Sequence, residues 1–178
     1  MSSDEEIVSR IRTGDVDAFR LLLDRHYQGC LRFAVRQLGN RADAEEAVQD
    51  AFTRAYRFLP RYEERQKFSS WLYRILVNQC RSIGGRRRKQ EDTFIPYESI
   101  GEELLSNGVE PDAPRIELHR ALARLSDEDR EALLLKYLDD QTYEDMAELT
   151  GLGVSALKMR VKRARERLLG LLGGAYDA

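Results

Sequence analysis

Apolar residues recur at three- and four-residue steps along most of the chain, which is the period of amphipathic helices. One long stripe covers residues 19–38 and stops at Gly39, a residue that favours a helix end. Another covers residues 43–59 and must stop at Pro60, because the proline ring cannot continue a helix. The alternating pattern of a β-strand is not found in any segment. The pattern therefore predicts an all-α protein.

The first part of the chain contains four such helical segments. Ser3 and Glu6 have the spacing of a capping box, in which each side chain bonds the backbone amide of the other, and they predict a short first helix. The fourth helix should begin near residues 69–70 and weaken at the glycine pair 84–85. We expect these helices to form one small bundle over residues 1–92.

Residues 93–114 differ in character from both neighbouring segments. They hold three prolines, two glycines and five acidic residues, and no basic residue. Such a composition is typical of a flexible linker. We therefore expect two small helical bundles, over residues 1–92 and 115–178, joined by this linker.

The second bundle ends in a pattern typical of DNA-binding proteins. Two capping pairs predict helix starts, Ser126 with Asp129 and Thr142 with Asp145. After the turn "TGLGVS", Ser155 is expected to cap a final helix that reaches about Leu172. A short helix, a glycine-containing turn and a longer basic helix together predict a helix-turn-helix.

Charge is concentrated in two places, although the net charge is only -2. Residues 86–89 form a basic run, and residues 155–169 carry six basic side chains against one acidic side chain. On the last helix, Leu157, Val161 and Ala164 share one apolar stripe that should pack inward. The basic residues are left on the opposite surface, where they suit a polyanion such as DNA, or form an ordinary solvated face.

Composition excludes several other classes of protein. The chain has 178 residues, 42% hydrophobic residues and a mean hydropathy of -0.56, and its first ten residues are polar and acidic. These properties argue against a signal peptide or a membrane span and predict a cytoplasmic protein. Cys30 and Cys80 lie in apolar helical patterns without metal-ligand spacing, so we expect no disulfide, metal or cofactor. His26 and His119 are isolated, and we predict no catalytic site.

Two long segments together resemble a known family of transcription factors. The runs are "DAEEAVQDAFTRAYRFL" at 43–59 and "FSSWLYRILVNQCRS" at 68–82, followed by "RRRK". They resemble the core-binding and promoter-melting segments of group IV sigma factors, the extracytoplasmic-function type. The segment "LSDEDREALLLKYLDDQTYEDMAELTGLGVSALKMRVKRARERL" looks like the domain of these factors that reads the upstream promoter element. The match covers nearly the whole chain.

The resemblance implies a role for the polar face of the third helix. In this family such a face docks on a coiled coil of the polymerase clamp. The residues that it assigns to polymerase binding are Asp43, Glu46, Gln49, Asp50 and Thr53. The alternative is a face that is merely solvated, as most charged helix faces are.

The resemblance also places downstream promoter DNA along the next loop and helix. The basic residues could neutralise phosphates, and aromatic rings could stack on unpaired bases. Trp71 is more typical of a core residue, whereas Tyr73 is expected to be the exposed ring. The implied DNA contacts are Arg61, Tyr62, Arg65, Lys67, Phe68, Tyr73, Arg74, Asn78, Arg86, Arg87, Arg88 and Lys89.

The helix-turn-helix is implied to read the upstream element in a major groove. The residues assigned to it are Thr142, Ser155, Lys158, Met159, Arg160, Lys162, Arg163 and Arg165. The partners implied are core RNA polymerase, through its clamp and flap, duplex and single-stranded promoter DNA, and an anti-sigma factor inserted between the two bundles. The alternative is a stand-alone helix-turn-helix regulator that binds duplex DNA as a dimer.

Overall fold

The computed structural model describes residues 2–63, 67–90, 113–139 and 141–176, and every regular element in these ranges is helical. The all-α prediction is confirmed. The helices are α1 (Asp4–Arg12), α2 (Phe19–Leu38), α3 (Arg41–Phe58), α4 (Phe68–Gln90), α5 (Ala113–Ala123), α6 (Asp127–Tyr137), α7 (Tyr143–Thr150) and α8 (Val154–Tyr176). Short 3-10 turns cover Val16–Ala18 and Leu59–Arg61. Among these described helices, none has the length and apolar character that a membrane crossing needs.

Most helix ends lie where local side-chain chemistry puts them. Ser3 and Glu6 form the expected capping box at the start of α1. Gly39 adopts a left-handed conformation with φ of 68° at the end of α2, and Asn40 then caps α3 by accepting a hydrogen bond from the Asp43 amide. Thr142 and Asp145 form a second capping box at the start of α7. The boundaries at Ser3, Gly39 and Thr142 confirm the sequence predictions, whereas α3 begins at Arg41, two residues before the predicted start at 43.

Two predicted boundaries were wrong. Helix α4 continues through Gly84 and Gly85 to Gln90, since Gly84 lies against the Leu38 side chain and packing on α2 outweighs the low helix propensity of glycine. Helix α8 begins at Val154, so Ser155 lies in its first turn and does not cap it.

The expected linker lies mostly outside the described residues. Residues 93–112 belong to a range that is not described. Helix α5 already includes Ala113 and Pro114, because proline is tolerated in the first turn of a helix, where its missing amide proton has no partner to lose.

The N-terminal bundle consists of α1–α4 around an aliphatic and aromatic core. Helices α2, α3 and α4 pack against one another, with Leu22, Phe33, Val48, Leu72 and Leu76 almost completely buried. Helix α1 covers one end of this core with Ile7 and Val8. The short residues Ala44, Ala47, Ala51 and Ala55 let α3 approach its neighbours closely.

The C-terminal bundle consists of α5–α8. Leu157, Val161 and Ala164 of α8 are buried against α6 and α7, where Leu135 and Met146 are also buried. The predicted inward stripe of α8 is therefore confirmed. Because this stripe faces the bundle, the opposite side of α8 is left at the surface.

The two bundles pack directly against each other, an arrangement that the sequence did not predict. Arg81 of α4 donates two hydrogen bonds to Glu131 of α6, at 2.7 and 3.0 Å. Ser70 donates to the Gln141 side chain at 3.0 Å. Gln37 of α2 donates to the carbonyl oxygen of Asp127 at 3.1 Å. In the arrangement described, α2 and α4 thus form one wall of an interface with the C-terminal bundle.

Candidate functional site

The polar face of α3 carries three acidic side chains and two neutral polar ones. Glu46, Gln49, Asp50 and Thr53 are exposed, and Asp43 is half-buried at the start of the helix. The structure thus brings together the five residues that the sequence singled out. One hydroxyl is already engaged, since Thr53 donates to the carbonyl oxygen of Gln49 at 2.8 Å. The face suits a basic helical partner.

An aromatic groove lies directly beside this acidic face. Phe19 of α2 contacts Phe52 and Tyr56 of α3 edge-on, with ring centroids 6.4 and 5.1 Å apart. Tyr56 is 44% exposed. The groove also borders Gln49 and Thr53. The α3 surface therefore combines apolar contact area with hydrogen-bonding groups.

Two acids of this face form ion pairs with the basic run at the end of α4. Arg86 contacts Glu46 at 2.8 Å, and Arg87 contacts Asp43 at 3.1 Å. The sequence did not indicate these pairs, because they join residues about 40 positions apart and depend on α4 remaining helical after Gly84.

The loop before α4 presents positive charge. Arg61 and Lys67 are exposed, and the Arg61 guanidinium lies 5.8 Å from the centroid of the Phe58 ring. Arg65, a further predicted DNA contact, lies outside the described residues. The described part of the loop could therefore contact phosphates through at least two cations.

Tyr62 and Phe68 do not offer the exposed stacking surfaces that the sequence analysis expected. Their exposures are 2% and 0%. Their ring centroids lie 5.1 and 5.7 Å from that of Trp71 and 5.9 Å from each other. Arg12 of α1 donates to the Tyr62 carbonyl oxygen, and its guanidinium covers the Tyr62 ring. The loop is anchored by this aromatic cluster, which explains the burial of both rings.

The prediction that Tyr73 is exposed was also wrong. Its side chain is 6% exposed, its ring contacts Phe33 edge-on at 5.5 Å, and its hydroxyl donates to Asp139 of the C-terminal bundle. Burial raises the pKa of Tyr73, and the nearby Cys30 and Asp139 act in the same direction. Tyr73 lies on the side of α4 that faces the second bundle, and a helical period alone cannot reveal such a partner.

The outer side of α4 remains open. Arg74, Asn78 and Lys89 are exposed at positions that repeat along the helix, and Arg86 is exposed at its end. Arg87 is half-buried, and the side chain of Arg88 is not described. We call Arg74, Asn78, Arg86 and Lys89 the α4 stripe. Its charge and spacing suit a nucleic-acid backbone.

The exposed side of α8 carries most of the predicted groove-reading residues. Exposed side chains are Ser155, Lys158, Met159, Lys162, Arg163 and Arg165, whereas Arg160 is half-buried. Lys158 lies 5.6 Å from the centroid of the Tyr143 ring, and Lys162 lies 4.0 Å from Glu166. Thr142 is exposed, but its hydroxyl is used to cap α7. We call the exposed set on α8 the reading face.

A second apolar groove lies on the C-terminal bundle, and the sequence did not point to it. Leu118 of α5, Tyr137 of α6 and Leu168 of α8 line it, and Tyr137 is 58% exposed. Exposed apolar side chains in a groove between helices are typical of a protein-docking surface.

The described residues contain no cluster of histidine, cysteine and carboxylate side chains able to hold a metal ion. Cys30 and Cys80 are free and buried. Burial raises the pKa of both thiols, to about 12 for Cys80. Both side chains therefore serve as core residues of the N-terminal bundle.

Comparison with known proteins gives matches to both bundles. A family model for sigma-70 region 2 matches residues 22–92, and one for sigma-70 region 4 matches residues 115–168. The sigma factor SigW of Bacillus subtilis is 30% identical over 174 residues, covering 90% of this chain and 92% of that protein. The sigma-E factor of Escherichia coli is 32% identical over 177 residues, covering 93% of this chain and 92% of that protein.

Two solved structures share the fold. CnrH, in complex with the cytosolic domain of CnrY, has a TM-score of 0.74 and 25% identity, covering 97% of this chain and 99% of CnrH. The sigma factor RpoE of Bartonella quintana, in complex with the anti-sigma factor NepR, has a TM-score of 0.67 and 28% identity, covering 87% of this chain and 96% of RpoE. These likenesses extend over both bundles.

Proposed function

The chain belongs to the extracytoplasmic-function group of the sigma-70 family, and from that premise we propose how its surfaces divide the work of promoter recognition. It is an RNA polymerase sigma factor, which binds core polymerase and promoter DNA. We assign core binding and the downstream element to residues 1–92, and the upstream element to residues 115–178. Residues 93–114 are proposed to link the two.

The acidic face of α3 is the proposed site of polymerase binding. Asp43, Glu46 and Asp50 provide negative charge, and Gln49 adds directional hydrogen bonds to a docked helix. The adjacent aromatic groove adds apolar contact area to these charged and hydrogen-bonding groups. We propose that this surface docks on the clamp and that the groove lined by Leu118, Tyr137 and Leu168 meets the flap.

The α4 stripe and the preceding loop are proposed to hold the opened downstream element. Exposed cations at Arg61, Lys67 and Arg74 can neutralise phosphates, and Asn78 can bond a base or the backbone. Tyr62, Phe68 and Tyr73 support this surface from beneath, because their rings are buried. Base capture by stacking is therefore not assigned to these three rings.

The reading face of α8 is the proposed contact with the upstream duplex. Lys158, Lys162 and Arg163 are exposed on the side of the helix that faces away from the bundle. A helix with cations on this side can lie in a major groove, with its N-terminal residues toward base edges. This arrangement is the observation that carries the assignment of promoter reading to residues 115–178.

An anti-sigma factor is the proposed regulator. Among the structural neighbours, CnrH was solved with the cytosolic domain of CnrY, and the Bartonella RpoE was solved with the anti-sigma factor NepR. An inhibitor that inserted between the bundles here would first have to separate Arg81 from Glu131 and Ser70 from Gln141. We therefore propose that the inhibitor recognises the packed bundles or replaces their contacts one by one.

The match to region 2 argues against a stand-alone helix-turn-helix regulator, since such a protein needs no polymerase-binding bundle. We propose that the chain acts as an initiation factor without catalysing a reaction itself. We also propose that it works in the cytoplasm, where polymerase and the chromosome are found.

Two variants test whether α3 and α8 bind different partners. Asp50→Arg should weaken binding to purified core polymerase at least ten-fold, because it puts a cation into the acidic face, and should leave α8 unchanged. Arg163→Ala should weaken binding of the reconstituted holoenzyme to an upstream-element duplex about ten-fold, the loss of roughly 1–3 kcal/mol from one base or phosphate contact. Fluorescence anisotropy with labelled protein or DNA measures both.

Matched controls are available on the same helices or bundles. Asp24→Arg changes an exposed acid of α2, and Arg167→Ala removes an exposed arginine of α8 outside the reading face. Both controls should retain binding to core polymerase and to DNA. Unchanged core binding in Asp50→Arg, or a loss of core binding in Arg163→Ala as large as its loss of duplex binding, would contradict the assignment.

A further inference from the structure

The basic run at the end of α4 contacts the acidic face of α3, although the two surfaces are assigned to different partners. From these contacts we propose that Arg86 and Arg87 mask the polymerase-binding acids in the free chain, so that docking on polymerase and DNA binding by this run promote each other. The inference rests on the proposed function of both surfaces. It adds a coupling between them that neither surface has by itself.

The geometry of the pairs carries the proposal. Arg86 lies 2.8 Å from Glu46, and Arg87 lies 3.1 Å from Asp43. Side-chain exposures are 60% and 52% in the first pair but only 23% and 28% in the second. The second pair is therefore less screened by solvent and should be the stronger of the two.

The pairs are formed by the fold of α4 and α3 together. Helix α4 packs along α3, and its unbroken course past Gly84 and Gly85 brings the arginines to the first half of α3. A chain that frayed at this glycine pair would leave the run in solvent. The continued helix thus places the cations over the acids.

The coupling arises because each paired side chain can contact either its ion-pair partner or an external partner, but not both at once. A phosphate group near Arg86 is repelled by the carboxylate of Glu46, and a cation of a docked helix is likewise repelled by Arg86. When a partner takes one member of a pair, the other member is released for its own partner. Linkage then requires that each partner raise the affinity of the chain for the other by the same factor.

The expected size of the coupling is modest. Exposed ion pairs contribute little, so each pair should change an affinity by about two- to five-fold, and high salt should reduce the effect. Such a change still disfavours DNA binding by the free factor relative to the polymerase-bound factor.

The DNA side is tested with the isolated full-length chain. Glu46→Gln frees Arg86, so binding to a nonspecific duplex should become about two- to five-fold tighter at low salt. The slope of log affinity against log salt should steepen by up to about 0.9, the value for one additional neutralised phosphate. Glu5→Gln removes the same charge from the exposed side of α1 and is the matched control. Equal effects of the two variants would overturn the proposal.

The polymerase side is tested by removing the cations. Arg86→Ala and Arg87→Ala, separately and together, should increase affinity for core polymerase by about two-fold or more, because the acids are unmasked. Arg20→Ala removes an exposed arginine of α2 and should have no such effect. Unchanged or weaker core binding in the double variant would refute the coupling. Thermal melts followed by circular dichroism verify that each variant is folded.

A final comparison separates failure of the coupling from failure of the proposed function. Asp50→Arg tests the acidic face without breaking either pair. If Asp50→Arg weakens core binding and the arginine variants do not strengthen it, the acidic face is correct and the coupling is wrong. If neither Asp50→Arg nor the arginine variants change core binding, the assignment of the face itself is wrong.

Discussion

At the scale of single residues, His119 shows how packing changes chemistry. It is 8% exposed on α5, and its pKa falls from 6.5 to about 4 because burial, and then the charges of Arg36 and Arg115, disfavour the protonated ring. The folded chain therefore keeps this ring neutral at neutral pH. The sequence showed only an isolated histidine in a helical pattern.

A pH dependence of stability follows from the lowered pKa. Below about pH 6.5 the unfolded chain binds a proton at His119 that the folded chain binds only near pH 4, so acidification favours unfolding. This difference should remove about 3 kcal/mol of stability between pH 7 and pH 4. His119→Gln should lack this part of the loss, as urea titrations across that range would show. Parallel stability curves for the two proteins would contradict it.

The residue-level prediction for α8 succeeded, because its packing partners α6 and α7 are close in the chain. The inward stripe of α8 and its outward cations follow from a helical period and a nearby partner surface. Tyr73 was assigned to the wrong side, because the group that receives its hydroxyl, Asp139, lies in the other bundle. Periodicity distinguishes the two sides of a helix but does not reveal a distant polar partner.

At the scale of helices, the ends that are set by capping side chains were predicted correctly, whereas the end of α4 was not. Capping pairs such as Thr142 and Asp145 act over three residues, so the sequence displays them directly. Continuation of α4 through Gly84 depends instead on packing against Leu38, which is about 46 positions away. Tertiary contacts overrode local propensity there.

The turn of the helix-turn-helix gives a prediction at this scale. Gly151 has a φ of +75°, a conformation that residues with a Cβ adopt at a cost of about 1–2 kcal/mol. Gly151→Ala should therefore reduce the free energy of unfolding by about 1 kcal/mol. Gly170→Ala, at an open position inside α8, should raise it by about 0.5 kcal/mol. Urea unfolding measures both changes, and a shared sign would count against this interpretation of the turn.

At the scale of the whole molecule, the packing of the two bundles is the main departure from the sequence prediction. Two independent bundles on a tether were expected, whereas Arg81, Tyr73 and Ser70 of α4 bond the C-terminal bundle. These side chains carry polar groups, so the sequence alone suggests that they face solvent. Only the folded arrangement shows that they face one another.

Breaking the paired charges of this interface should separate the bundles. Arg81→Glu places a carboxylate opposite Glu131, whose side chain is 8% exposed, so the two groups should repel strongly. Small-angle scattering should then give a radius of gyration well above the roughly 16 Å expected for a compact chain of this length. The double variant with Glu131→Arg should restore compactness. An unchanged radius in Arg81→Glu would show that this pair does not hold the bundles together.

The interface also limits how freely the second bundle, the proposed reader of the upstream promoter element, could be exchanged. A hybrid that joins residues 1–92 to the second bundle of a relative would retain both DNA surfaces. In the packed arrangement, however, Arg81 and Tyr73 would lose their hydrogen-bond acceptors. They would keep them only if the bundle from the relative had acidic residues at the positions of Glu131 and Asp139. If the second bundle reads the promoter as proposed, exchanging it would therefore also require transferring the carboxylates that hold the two bundles together.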